Sequence, residues 1–294
     1  MDRTHISGLS ELGIYNGIYP DKDFKLKRED GLEIGASVYG TKDEGVKPGI
    51  ILLHGNTPLG RKLPFYEVLS TKLAERGYIV ITIDFAGFGE SGDPFQFNTI
   101  EALDSTKEVF AALTYLKSLR NLEEGNISII GHSGGAEAAI PFGINEDDIK
   151  SIVAIGPPRR VRERRTSLED REYFWERAKK TRKTLYNKDF PEWYTIDLWQ
   201  KLSYGREMDS YIDYFSQKGH KPIFLIDGEL ETEKDRTYLK NYHLKIKEPK
   251  RYSTIKNSDH YGNTFMRKGI IFYNKKVIDD LASVIDSWLR KNSE

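Results

Sequence analysis

Asn126-Ile-Ser-Ile-Ile-Gly-His-Ser-Gly-Gly135 is a short apolar, β-branched run that ends in the pattern Gly-x-Ser-x-Gly, with Ser133 at its centre. A serine placed between a strand and a helix must occupy a very tight turn. Glycines two positions to either side, Gly131 and Gly135, remove the Cβ atoms that would collide there, and the helix that follows aims free N–H groups toward whatever Ser133 approaches. Ser133 is therefore the first candidate for a reactive atom, and Gly134, immediately after it, supplies one backbone donor by geometry.

Working outward, the chain changes period around this stretch. Phe24 to Tyr39 alternates about Glu29-Asp30-Gly31, as two antiparallel strands joined by a turn would. Gly49-Ile-Ile-Leu-Leu-His-Gly55 and Tyr78-Ile-Val-Ile-Thr-Ile-Asp84 read as buried strands separated by an amphipathic helix from Leu63 to Arg76. A helix from Glu101 to Leu119, the Ser133 strand with its Ala-rich helix, and a strand from Ser151 to Gly156 continue the alternation. Near-continuous apolar strands separated by helices call for an α/β fold, a mostly parallel central sheet covered by helices on both faces.

Pro157-Pro158 interrupts the rhythm, and Pro222-Ile-Phe-Leu-Ile-Asp-Gly228 restarts it. Residues 157–220 are accordingly expected to form a helical cap inserted into a core made of residues 1–156 and 221–294. Between Arg159 and Lys183 there are eleven Arg or Lys and five Asp or Glu, followed by aromatics including Trp193 and Trp199, which are candidates to line a pocket. The favoured reading is a solvated basic helix face above aromatics that simply pack the cap onto the core. A last strand from Lys250 to Ile255 and a helix from Ile271 to Leu289 complete the expected core.

Composition narrows the function. The 45 basic and 45 acidic residues cancel to a formal net charge of +0, so no global field favours nucleic acid or an anionic membrane. There is no cysteine, which excludes disulfides, thiolate metal sites and a cysteine nucleophile. No metal cluster or phosphate-binding Gly-Lys-Ser/Thr loop stands out, so neither a metal nor a cofactor is expected. No continuous apolar run long enough for a signal peptide or a membrane span occurs, and the expectation is a cytoplasmic protein. Nothing in the sequence speaks to oligomeric state.

A serine hydroxyl is a poor nucleophile without a base, and the base needs a third group to hold its tautomer. Of six histidines, His5 lies in the tail, His220 precedes a strand and sits at the wrong edge, and His243 lies on a probable helix. His54 and His132 flank the site but are built into tight turns, with His132 at most contacting substrate. His260 follows the last strand and faces the carboxyl edge, where ligands of open α/β sheets bind. Four carboxylates at or just beyond the end of the strand that closes with Gly228 compete for the third role: Asp227, Glu229, Glu231 and Asp235.

The order strand, Ser133, acid, His260 resembles the α/β-hydrolase superfamily, particularly its esterase and lipase-like serine hydrolases. His54-Gly55 after one strand, Asp84-Phe-Ala-Gly87-Phe-Gly89-Glu-Ser91 after the next, the turn at Ser133 and Asp259-His260 carry the likeness. The resemblance implies Glu231 as the acid, three residues after the glycine that ends its strand and in place of the commoner aspartate, with Asp227 and Asp235 as alternatives. It also implies the backbone of Asn56 as the second oxyanion donor, with Thr57 as the runner-up. Asp84, Gly87, Gly89 and Ser91 are expected to shape a loop. Glu137, on the same helix face as Ser133, is expected to favour the helix dipole. The activity implied is cleavage of a small-molecule carboxylic ester through an acyl-enzyme. An amidase or peptidase with the same triad and a non-catalytic receptor on the same fold are the alternatives.

Overall fold

The computed structural model describes residues 12–14, 20–42, 44–93, 105–157, 168–190, 192, 195–196, 221–267 and 270–292. Its frame is an 8-stranded sheet made of β2 (Lys22–Lys27), β3 (Glu33–Tyr39), β4 (Lys47–Leu53), β5 (Ile79–Ile83), β6 (Leu122–His132), β7 (Ile149–Ile155), β8 (Ile223–Gly228) and β9 (Lys250–Ile255). The spatial order is β2-β3-β5-β4-β6-β7-β8-β9. From β5 to β9 every pairing is parallel, while β2 and β3 add on antiparallel at one edge. The hairpin expected around Gly31 is thus present. The family of parallel strands follows from their composition, since runs such as Ile50-Ile-Leu-Leu53 are apolar on both faces and are stable only when both are covered.

Alternation along each strand divides the core in two. Ile51, Leu53, Ile81, Ile129 and Ile152 face one layer, which is covered by α2 (Thr106–Lys117), α3 (Ala136–Asn145) and α5 (Glu233–Lys245). Ile50, Leu52, Val80, Ile130 and Val153 face the other, covered by α1 (Pro64–Ala74) and α6 (Lys275–Lys291). Helix α6 buries Val277, Ile278, Leu281, Ala282, Ile285, Trp288 and Leu289, a stripe at helical spacing. Asn274 caps it by accepting a hydrogen bond from Val277 N at 3.0 Å, and Trp288 Nε1 donates to Ser151 Oγ at 2.8 Å.

Asn274 also corrects the expected last helix. Residues Ile270–Asn274 are a strand, β11, which pairs antiparallel with β10 (Phe265–Arg267) and β1 (Leu12–Ile14) in a separate 3-stranded sheet. A short apolar run before a helix has no periodicity of its own to separate it from that helix. Strand β6 likewise starts at Leu122, ahead of the apolar run at Asn126, and passes through Gly125.

Most of residues 157–220 lie outside the described residues, Trp193 and Trp199 among them. Helix α4 (Leu168–Tyr186) is described, and its C-terminal part reaches loops at the carboxyl edge of the sheet. Tyr186 Oη donates to Leu59 O at 3.0 Å, Arg182 Nη1 donates to Gly87 O at 3.0 Å, and Arg182 pairs with Asp93 at 2.6 Å.

The loop after β5 is built around a buried ion cluster. Asp84, 0% exposed, accepts from Arg61 N at 2.7 Å and Glu90 N at 2.9 Å and pairs with the Arg61 guanidinium, itself 1% exposed. Arg61 also reaches Asp23 at 2.8 Å and Glu90 at 2.5 Å. Ser91 Oγ donates to Asp84 O at 2.7 Å and accepts from Gly35 N at 2.9 Å. Asp84 and Ser91 therefore have the loop-shaping role read from the sequence, while Arg61 gave no sequence signal because its partners are distant in the chain. Breaking one side of such a pair leaves an uncompensated buried charge. Asp84→Ala is expected to lower unfolding free energy by about 3–5 kcal/mol in urea titrations, and a loss below about 1 kcal/mol would show the cluster to be dispensable.

Candidate active site

Ser133 sits at the carboxyl end of β6 with φ 51°, in the left-handed region that a non-glycine residue enters at a cost of about 1–2 kcal/mol. The surroundings hold it there. A Cβ on Gly131 would lie 2.5 Å from Gly135 O, and one on Gly135 would lie 2.5 Å from Leu53 O. Both glycines therefore permit β6, the turn and the end of β4 to meet at backbone distance. A single turn of tighter helix, Ser133–Gly135, leads into α3 at Ala136.

The loop after β4 lies directly against this turn. A Cβ on Gly55 would come within 2.7 Å of Ser133 Cβ, and one on Gly134 would stand 3.6 Å from Asn56 N. The backbone N–H groups of Gly134 and Asn56 thus come from two chain segments that meet beside Ser133. Thr57 N donates to Gly55 O at 2.9 Å, which commits the runner-up donor to a turn.

His54 orients the same peptide. Its Nε2 accepts from Phe85 N at 3.0 Å, so the ring proton resides on Nδ1, which lies 2.6 Å from Gly55 O. Burial pushes the His54 pKa down and keeps the ring neutral. Because a peptide is planar, fixing Gly55 C=O also fixes the direction of Asn56 N–H on the opposite side of the same bond.

The expected base and acid are brought together. His260 Nδ1 lies 3.3 Å from Glu231 Oε1, with the two side chains 34% and 12% exposed. Glu231 folds back over its own turn, with Gly228 N 3.4 Å from Oε1 and Glu231 N donating to Gly228 O at 3.1 Å.

His260 is presented by a loop that closes on itself. Asp259 Oδ1 accepts from Tyr261 N at 2.9 Å and Asn263 N at 2.7 Å, and Asn263 Nδ2 donates to Asn257 O at 2.6 Å. Asn257 and Asn263 take positive φ values of 55° and 57°, which Asn tolerates better than most residues.

The alternative acids are engaged elsewhere. Asp227, 3% exposed, accepts from Tyr252 Oη at 2.6 Å, and burial pushes its pKa up, so it is poorly suited to stay ionised beside a histidine. The Asp235 carboxylate accepts from Thr232 Oγ1 at the cap of α5. Glu229 accepts from Asn257 N at 2.8 Å. His132, expected to shape the turn and at most to contact substrate, packs in the interior, and its candidacy as a pocket residue is corrected. It is 0% exposed, and both ring nitrogens contact protein atoms, Nδ1 at 2.8 Å from Tyr66 Oη and Nε2 at 2.7 Å from His260 O. Glu137, in the first turn of α3, is also buried.

Gly156 escaped the sequence reading, where it only ended a strand. With φ 51°, it stands where a Cβ would come 3.0 Å from Glu231 Oε1 and 3.0 Å from His260 Nδ1. Gly156→Ala is expected to displace the pair and lower kcat by about 10-fold or more. The left-handed backbone itself should cost about 1–2 kcal/mol of stability, so kinetics and urea unfolding must be measured together. Unchanged kcat in a folded variant would mean the Glu231–His260 contact does not matter for turnover.

Among the described residues, no group of three or more His, Cys, Asp or Glu is arranged to hold a metal ion, and no helix is long and apolar enough to cross a membrane. A strained serine at the end of a parallel strand, backbone N–H groups from two segments that meet beside it, and a histidine–carboxylate contact are the features the structure gathers at this edge of the sheet. The chain belongs to the alpha/beta hydrolase family, whose model matches residues 50–263.

Solved structures agree on the fold. DcsB, solved with a substrate analogue, superposes with a TM-score of 0.65 at 16% identity over 92% of this chain and 99% of its own. The Pyrococcus furiosus esterase Pf2001 gives 0.59 at 19% identity, covering 93% of each chain. Est1E from Butyrivibrio proteoclasticus, with ferulic acid bound, gives 0.59 at 15%, covering 92% of this chain and 98% of its own. At such identities the likeness establishes architecture. A Mycobacterium phage D29 protein named as a non-heme haloperoxidase is 34% identical over 106 residues, which is 36% of this chain and 32% of that protein. The match therefore spans about a third of that relative's length.

Proposed function

We propose that this alpha/beta hydrolase is a serine esterase that cleaves small carboxylic esters through an acyl-enzyme. Ser133 attacks the ester carbonyl, and His260 takes its proton and returns it to the departing alcohol. Glu231 holds the His260 tautomer and stabilises the imidazolium, and Gly134 N–H and Asn56 N–H bind the oxyanion. Water then attacks the acyl-serine with His260 again as base, releasing the acid and restoring Ser133. The observation that carries the proposal is the 3.3 Å contact of His260 with Glu231, in a loop whose His260 O lies 2.7 Å from Nε2 of His132, the residue preceding Ser133.

Residues 157–220 act as a cap that shapes the substrate cavity. The bonds from Arg182 and Tyr186 to the loops after β5 and β4 support this, since both loops flank the site. A panel of nitrophenyl esters of graded acyl length beside aminoacyl anilides tests the bond class. Turnover of esters with Ser133-dependent burst kinetics is expected, and cleavage of anilides alone would replace the esterase reading with an amidase. The name of the phage relative favours one further arm, with hydrogen peroxide added. Peroxide attacking the acyl-serine in place of water would release a peracid and the free Ser133 hydroxyl.

A further inference from the structure

A chain of hydrogen bonds with every proton assignable runs through the interior behind the proposed site. Gly55 N–H donates to Tyr66 Oη at 2.6 Å, so the hydroxyl accepts there. Tyr66 Oη lies 2.8 Å from His132 Nδ1, and His132 Nε2 lies 2.7 Å from His260 O. A carbonyl oxygen only accepts, so Nε2 carries the proton and Nδ1 is the lone pair that receives the Tyr66 hydroxyl. Tyr66 is 1% exposed and His132 0% exposed. Burial, reinforced by the nearby His260, pushes the His132 pKa well down, while burial pushes that of Tyr66 well up, so both groups stay neutral and the direction of the bonds is fixed.

The chain crosses segments far apart in sequence: the loop after β4, helix α1, the turn at Ser133 and the loop after β9. Its ends are the residue before Asn56 and the backbone of His260. It therefore sets the distance between the oxyanion donor and the base, with the residue adjoining Ser133 in the middle. The packing around it is tight. The His132 ring lies 4.8 Å from the Phe65 ring and 4.8 Å from the His260 ring, centroid to centroid.

We infer that Tyr66 and His132 are positioning residues, a neutral relay that holds the Asn56 loop and the His260 backbone in register about Ser133. The inference rests on the esterase reading above. Removing the Tyr66 hydroxyl strands both Gly55 N–H and His132 Nδ1 in a site without water access, and small displacements of reacting groups are costly to turnover.

Tyr66→Phe keeps the ring and its packing. Its expected signature is kcat lower by about 10- to 100-fold with KM little changed, and fluorophosphonate labelling of Ser133 slowed in parallel. The loss should remain after rates are divided by the concentration of folded sites, which separates positioning from simple destabilisation. In the wild-type protein, ¹⁵N-histidine spectra should show His132 as the neutral Nε2–H tautomer between about pH 5 and 8, with its Nδ1 signal shifted in Tyr66→Phe. A His132 that titrates in that range or carries its proton on Nδ1 overturns the relay. So does a folded Tyr66→Phe with wild-type kcat. Failure of the wild-type protein to label at Ser133 or turn over esters instead sinks the esterase reading, and the relay's kinetic role with it.

Discussion

Ser133→Ala is expected to lower kcat for nitrophenyl ester hydrolysis by about a millionfold, with ester binding largely retained. In the proposed mechanism the magnitude follows from removing the atom that forms the covalent intermediate, because base and oxyanion donors act as a unit with the nucleophile. Alanine is smaller than serine and keeps Cβ, so the contact between Gly55 and the turn survives. The fold should therefore be unaffected, and relief of a polar side chain at φ 51° does not remove the backbone strain itself. Steady-state and single-turnover assays check the prediction. A variant that retains more than about a hundredth of wild-type kcat would place the chemistry at another group.

Glu231→Gln is expected to lower kcat by about ten-thousandfold, because an amide near His260 Nδ1 no longer stabilises the imidazolium and can favour the wrong tautomer. The carboxylate faces His260 at 3.3 Å, so the substitution changes charge at nearly constant shape. Asp227→Asn provides the internal contrast. Asp227 lies within β8, one residue before its end, but it is bonded to Tyr252 Oη, and kcat should change by less than about 10-fold. If Asp227→Asn were the more damaging of the two, the acid would have to be reassigned to the group with the raised pKa.

How far the sequence reaches depends on whether the determinants are local. The parallel strands were legible because two-face burial writes continuous apolar runs, and the turn at Ser133 because steric crowding demands glycines at fixed offsets. His260 stood out as a candidate by position alone, as it follows the last strand of the main sheet at its carboxyl edge, and the structure sets it 3.3 Å from Glu231. Glu231 could not be separated from Asp227 and Asp235 by residue type, and depends on how one turn after β8 folds back.

Gly156, Tyr66 and Arg61 lay beyond reading for a shared reason. Each matters through partners that are distant in the chain: Gly156 beside Glu231 and His260, Tyr66 between Gly55 and His132, Arg61 among Asp23, Asp84 and Glu90. Strand β11 was absorbed into helix α6 because four apolar or aromatic residues in a row satisfy either period. His132 was kept as a pocket candidate beside its packing role because Ser133 is its neighbour, although adjacent residues at the end of a strand point to opposite sides.

The central claim is that Ser133 is the activated nucleophile, and covalent labelling with a fluorophosphonate followed by peptide mapping tests it most directly. The expected result is a single adduct on the peptide containing Ser133 in the wild-type protein, none in Ser133→Ala, and slow labelling in Glu231→Gln. Equal labelling of wild type and Ser133→Ala, or an adduct on a different residue, would contradict it.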